Sequence, residues 1–159
     1  MEVEDYNESV KAWADPLFRF AYKCTGNEED ARDVVQTSFE VLWQKRKDVA
    51  AEKSKAFLFQ VAYRQSVDVY RKKVRIQYKE NVEEKSQNPA NPDLKKVLDR
   101  ALNQLDEQSR ALVLLKDYEG YSYEEIGRIT ELSDSQVKVY LHRARKVLKN
   151  YLVRIENII

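Results

Sequence analysis

Cysteine, glycine, proline and histidine are all scarce in this chain, and each shortage removes a class of structure or chemistry. One cysteine in 159 residues makes neither an internal disulfide nor a multi-thiolate metal site, and Cys24 reads as a small apolar side chain at a helix end. Three glycines and three prolines are too few for a turn-dense β fold and favour long helices. The single histidine, His142, has no carboxylate placed by sequence to orient it. No P-loop, glycine-rich dinucleotide motif or metal-ligand spacing occurs, and adjacent acids such as Glu124 and Glu125 splay apart on a helix. No apolar run reaches the roughly eighteen residues a membrane span needs, and Met1 to Ser9 is acidic rather than apolar, unlike a signal peptide. These absences lead us to expect a cytoplasmic protein that catalyses no reaction and uses no cofactor, metal or small-molecule substrate.

What is present is charge, unevenly placed. The net charge is only +1, so the total carries no hint of a polyanionic partner. Between Arg64 and Arg75, however, stand Arg64, Arg71, Lys72, Lys73 and Arg75 against one acid, Asp68. Between Ser135 and Ile155 stand Lys138, Arg143, Arg145, Lys146, Lys149 and Arg154 with no acid. Either stretch alone would pass for a solvated helix face. Two of them in one otherwise balanced chain point to a polyanion.

Apolar residues recur at helical spacing nearly everywhere. Tyr6, Val10, Trp13 and Leu17 begin a stripe continued by Phe20, Ala21 and Cys24. Asp15-Pro16 inside it predicts either two helices or one kinked helix. Gly26 ends the stretch, and Asn27 caps a second helix with Glu28, Glu29 and Asp30 in its first turn, where the helix dipole favours acids. Its apolar side carries Ala31, Val34, Val35, Ser38, Phe39, Leu42 and Trp43. A third helix is predicted from about Lys55 to Arg75. Gln77 to Asp93 is poor in aliphatics and rich in polar punctuation, which predicts a flexible linker, with Asn91-Pro92 opening the next helix. Leu94, Val97, Leu98, Ala101, Leu102 and Leu105 form an amphipathic stripe. Asp106 caps a further helix that Gly120 stops. Ser122 with Glu125, and Ser133 with Gln136, have capping-box spacing. The expected fold is all-α, two small helical domains (1–76 and 94–159) joined by a linker (77–93).

In the last segment a short helix, a turn around Leu132 and a longer helix follow one another. Gly127 lies on the inner side of the short helix. The longer helix would bury Val137, Leu141, Ala144 and Leu148 and present Lys138, Val139, His142, Arg143, Lys146 and Lys149. That is the layout of a helix-turn-helix whose basic front enters the major groove, although an ordinary helical hairpin with a basic surface has the same pattern. Ser135 and the helix N-terminus can meet phosphates, and Arg143 and Lys138 can reach guanine edges.

Tyr121-Ser-Tyr-Glu-Glu-Ile-Gly127, Val137-Lys138 and Leu141-His-Arg-Ala-Arg-Lys146 resemble the −35-binding helix-turn-helix of sigma-70-family factors, in particular the small extracytoplasmic-function (ECF) group. There the patterns are Gly-Leu-Ser-Tyr-x-Glu-Ile-Ala and Thr-Val-Lys-Ser-Arg-Leu-x-Arg-Ala-Arg. Gly127 replaces the usual Ala, an exchange expected to be harmless. Gln136, Val139 and Tyr140 replace Thr, Ser and Arg, so the −35 sequence does not carry over from relatives. Asp30-Ala-Arg-Asp-Val-Val-Gln-Thr-Ser-Phe39 resembles the family's Asp-Ala-Glu-Asp-Leu-Val-Gln-Glu-Thr-Phe helix, which grips the polymerase clamp helices. The resemblance implies Asp30, Asp33, Gln36, Thr37 and Glu40 as polymerase contacts, and most of these also share one helix face by spacing.

Ala56 to Arg64 and Asp68 to Lys73 resemble the segment that melts and reads the −10 element, where bases stack on rings and cations hold the backbone. Of its aromatics, Phe59 and Tyr63 are expected at the DNA, with Arg64, Arg71, Lys72 and Lys73, while Phe57, Leu58 and Val61 are expected in the core. Family members usually carry Trp at the place of Phe57 and Asn at the place of Arg64. The −35 contacts implied are Ser135, Gln136, Lys138, Val139, His142, Arg143 and Lys146. The implied partners are core RNA polymerase, promoter DNA and an anti-sigma factor. The main rival is a stand-alone regulator using the same helix-turn-helix as a dimer.

Overall fold

The computed structural model describes residues 1–80 and 94–158. Seven α-helices and no strand occur among them: α1 Val3–Thr25, α2 Glu28–Gln44, α3 Ser54–Glu80, α4 Leu94–Leu102, α5 Glu107–Val113, α6 Tyr123–Thr130 and α7 Asp134–Ile158. The capping reading holds at several junctions. Gly26 closes α1 in the left-handed conformation at φ 72°, as a C-terminal glycine can. Asn27 accepts the Asp30 N–H and Asp106 the Ser109 N–H. Ser122 with Glu125, and Ser133 with Gln136, each form the reciprocal pair of a capping box.

Of the two alternatives at Asp15-Pro16 the structure has the single helix, α1 continuing through Pro16. Other boundaries differ from expectation. Helix α2 stops at Gln44, and two single 3-10 turns (Arg46–Asp48 and Ala51–Lys53) lead into α3. Helix α3 runs past the expected boundary at 76, and residues 81–93, which hold most of the expected linker and the Asn91-Pro92 cap, lie outside the described residues. Helix α5 passes into one π turn, Leu114–Tyr118, where the Glu119 N–H reaches the Leu114 carbonyl at 2.9 Å.

Helices α1, α2 and α3 pack on one another as an N-terminal unit, and α4 to α7 form a C-terminal unit in which α5 and α6 lie against α7. The two share one core. Helix α6 packs on α3, and α5 on both α3 and α1, so a single cluster of buried side chains runs from Leu17 through Phe59 to Leu141. Two apolar residues of the expected stripes are exposed: Leu94 at 71% and Trp43 at 38%. Trp43 makes an edge contact with Tyr6 and carries the Arg46 guanidinium 3.8 Å above its ring.

The turn of the helix-turn-helix is tight. The Glu131 and Leu132 N–H groups both donate to the Gly127 carbonyl, and Glu131 is left-handed at φ 61°. A β-carbon on Gly127 would stand 2.7 Å from the Leu132 carbonyl oxygen. The expectation that alanine would be equivalent here is therefore corrected, because backbone has to move to admit a methyl. Gly127→Ala is expected to destabilise the C-terminal unit by about 1–3 kcal/mol, the usual cost of overpacking, read by denaturant unfolding.

Candidate nucleic-acid and polymerase interfaces

Helix α7 separates its two faces cleanly. Val137, Leu141 and Ala144 are buried, while Ser135, Gln136, Lys138, Val139, His142, Arg143 and Lys146 are all exposed. The α-helical period alone dictates this division once the apolar residues find a core. Behind the exposed face, Arg145 is bound to Asp117 of the π turn at 2.6 Å, so it anchors α7 rather than projecting from it. Tyr123 lies close to two cations, with Lys116 Nζ 4.4 Å and Lys138 Nζ 5.5 Å from its ring centroid. Gln136 is partly committed, since its side-chain oxygen accepts the Ser133 N–H at 2.9 Å. Arg143 borders a groove of about 410 Å³ shared with Asp106, Gln108, Ser109 and Tyr140.

On α2, Asp33, Gln36 and Glu40 are exposed and Thr37 is half-buried. Gln36 donates to the Glu40 carboxylate at 3.2 Å, which holds this strip in one orientation. Asp30 differs from the others. It pairs with Lys73 at 3.0 Å, and Lys73 also donates to the Thr25 carbonyl at 3.3 Å. One residue expected at polymerase and one expected at DNA therefore tie α2 to α3.

Helix α3 is where the sequence reading needs correction. Phe59 is 0% exposed, enclosed by Phe20 at 5.6 Å and Tyr121 at 4.9 Å between ring centroids. In this arrangement it is a core residue of both units and has no face left for a base. Phe57 and Val61, expected in the core beside Leu58, are only half-buried. Phe57 lines a groove of about 620 Å³ with Lys45, Asp48, Lys53, Gln60 and Arg128. The sequence reading missed this groove, because three of those residues come from the segment between α2 and α3 and one from α6.

Three cations of α3 meet carboxylates of the C-terminal unit. Lys55 pairs with Glu125 at 3.1 Å, Arg71 with Glu107 at 2.8 Å, and Arg64 with Glu131. Helix α1 adds Arg19 with Glu119 at 3.1 Å and Lys23 with Asp99 at 3.8 Å. Burial pushes the Glu125 carboxyl up, but the hydrogen bond and charge of Lys55 outweigh it and leave the group below its ordinary value. Burial also raises the Tyr63 phenol. Lys72 is exposed. Cys24 is buried, and that burial pushes its thiol up to about 12, consistent with an unreactive apolar role.

Comparison with known proteins resolves what the two surfaces belong to. Sigma-70 region 2 matches residues 9–76 and Sigma-70, region 4 matches residues 95–148. The ECF RNA polymerase sigma factor SigL of Mycobacterium tuberculosis is 31% identical over 143 residues, 84% of this chain and 80% of SigL. The chain belongs to the ECF sigma factors. SigE of Mycolicibacterium smegmatis, another ECF RNA polymerase sigma factor, is 31% identical over 94% of this chain, which spans 62% of that relative's length. The fold matches that of the sigma factor RpoE from Bartonella quintana, solved with the anti-sigma factor NepR, at a TM-score of 0.76, with 24% identity and coverage of 94% of this chain and 98% of RpoE. In this sigma factor the basic face of α7 is open, whereas α3 is packed and paired against the C-terminal unit.

Phe59→Ala tests the corrected role of that ring. Deleting a fully buried phenyl is expected to cost about 3–5 kcal/mol, read as a lowered denaturant midpoint of the free protein in the absence of DNA. A ring held for DNA contact alone would leave that midpoint where it was.

Proposed function

We propose that this chain binds core RNA polymerase and directs it to specific promoters, contributing recognition but no catalysis, and that it acts in the cytoplasm. Residues 1–76 would bind polymerase and the −10 element, and residues 94–159 the −35 element. The observation that carries this reading is the pairing of two unlike surfaces in one chain. A basic, exposed face on α7 stands behind a capped turn, and an acidic and amide strip of Asp33, Gln36 and Glu40 stands on α2. A dimeric regulator has use for the first surface and none for the second.

The division of labour on α7 follows from side-chain chemistry. Arg143 and Lys138 are long enough to reach base edges, and Gln136, held by its cap, offers its remaining amide N–H groups. Lys146 and Ser135 suit phosphates, which position the helix without reading sequence. Val139, 45% exposed, offers an apolar contact suited to a thymine methyl. His142 completes the face. On α3, Tyr63, Arg64, Arg71, Lys72 and Lys73 remain the residues we assign to the −10 strand, and Phe59 is withdrawn. The groove bounded by Phe57, Lys45, Lys53 and Gln60 is large enough to take one unpaired base, with a ring on one side and cations near its rim. No helix of the described residues is long and apolar enough to cross a membrane. The fold shared with a sigma factor solved with its anti-sigma partner supports a similar inhibitor for this chain.

The direct test is transcription in vitro with core polymerase on a genomic fragment library. Discrete start sites appearing only when the chain is added are expected, and their absence would refute the reading. Two substitutions then separate the roles of α7 on the promoter so found. Arg143→Ala is expected to weaken binding by about 1–3 kcal/mol and relax the preference at one base pair. Lys146→Ala is expected to weaken binding uniformly across sequences and to reduce the salt dependence by about one phosphate contact. On the polymerase side, Asp33→Arg is expected to abolish co-elution with core enzyme while leaving the unfolding curve unchanged.

A further inference from the structure

We propose that Glu131 is an intramolecular latch, which holds the C-terminal unit closed over α3 by occupying Arg64. The first observation is conformational. Glu131 is the only non-glycine residue with positive φ among those described, at φ 61° and ψ 36°. Glycine takes that conformation freely, whereas a side chain with a β-carbon seldom does. The conformation itself is that of a helix C-cap, with the Glu131 N–H on the Gly127 carbonyl, but that turn would be served as well by glycine and does not call for a carboxylate. The hydrogen bonds its carboxylate makes are not local: Oε1 accepts from Gln60 Nε2 at 2.9 Å and from the Arg64 guanidinium, both on α3 of the other unit.

The second observation concerns Arg64. The family resemblance places Asn at this position, so Arg64 is itself a departure. Two unusual features, a guanidinium on α3 and an acid in a left-handed turn, meet each other across the junction. Gln60 and Arg64 lie one helical turn apart on α3, so one carboxylate can hold both. The flanking pairs repeat the polarity, with Lys55 to Glu125 and Arg71 to Glu107. In each case the cation is on α3 and the carboxylate on the C-terminal unit. Carboxylates in those positions compete for the same α3 cations that the phosphates of a bound strand would use.

An exposed ion pair of this kind shifts an equilibrium by only about 1.4-fold to 5-fold. That is small for a folded core but appreciable for an opening reaction between two parts of one chain. That closure excludes DNA rests on the function proposed above; that Glu131 maintains closure does not.

The test uses the full chain with spin labels at Lys47→Cys and Lys149→Cys, one on each unit, the buried Cys24 being left in place. Label separation is measured by pulsed EPR at low and high salt. Glu131→Gly and Arg64→Asn are each expected to enlarge the long-distance population up to about fivefold at low salt. The reversed pair, Arg64→Glu with Glu131→Arg, is expected to bring it back toward the parent. A distribution unchanged by both single substitutions overturns the latch, and so does a reversed pair as open as the singles. Glycine suits the left-handed turn and so leaves the C-terminal unit folded, and Arg64→Asn does not touch that turn at all. In a second arm a fluorescein-labelled single-stranded oligonucleotide of the promoter's −10 region is titrated by anisotropy. Tighter binding by Glu131→Gly supports the latch together with the proposed function. Wider separation with unchanged oligonucleotide affinity supports the latch and counts against α3 as the −10 reader.

Discussion

The Phe59 ring is where two sets of helices become one core. It meets Phe20 on one side and Tyr121 on the other, and no part of it is accessible. Enclosing a phenylalanine side chain is worth about 1.5–3 kcal/mol relative to leaving it in water, and here that enclosure needs both units. Tyr121 is itself nearly buried, and Lys55 lies 4.0 Å from its ring centroid while pairing with Glu125. The apolar contact and the ion pairs around it are therefore mutually dependent. Moving α6 away from α3 exposes the ring and separates the charges in one step.

A second bond across the same junction has a different character. Arg110 is 2% exposed, and no carboxylate is among the groups that bind it. A buried guanidinium has to be hydrogen-bonded to be tolerated. Its partners are the carbonyls of Leu102 and Leu105, at 3.1 Å each, and the Tyr70 hydroxyl at 3.0 Å. Two of the three come from its own unit, where the guanidinium fixes the turn between α4 and α5. Tyr70 comes from α3, and its ring also lies 4.2 Å from the guanidinium carbon. Arg110 is thus a structural residue first and a junction residue second, in contrast to Glu131, whose carboxylate bonds lie entirely across the junction.

The parts of this architecture that were legible in the sequence are those set by local chemistry. Asn27, Asp106, Ser122 and Ser133 cap helices because their side chains can reach the N–H groups two or three residues on, a fact independent of the rest of the chain. The exposed face of α7 followed from periodicity for the same reason. Periodicity tells which residues are buried, not what buries them, and α3 shows the difference. With one unit packed on one side and the other unit on another, its aromatics cannot be sorted into core and reader by spacing. Phe59 was expected at the DNA and is enclosed in the core, while Phe57, expected in the core, is only half-buried against it. Leu94 fails through position, being the first residue of α4 and 71% exposed. Gly127 fails because the tightness of its turn depends on a carbonyl five residues away, at Leu132, which no pattern of residue types encodes.

The two basic surfaces are consequently unequal in this arrangement. The residues of α7 assigned above to the −35 element are all exposed, whereas Arg64 and Arg71 on α3 are each held by a carboxylate. The difference is one of partners rather than of charge, since both helices are basic. On α7 the one cation drawn inward, Arg145, is neutralised within its own unit by Asp117, which leaves the front of the helix uncompensated. On α3 compensation comes from the other unit and lasts only while the units touch. Exposed pairs are weak singly, but both units belong to one chain, so their meeting is intramolecular and a modest energy suffices to hold them together. Parting α3 from the C-terminal unit therefore breaks several tethered ion pairs at once, while the front of α7 has no such cost attached to it.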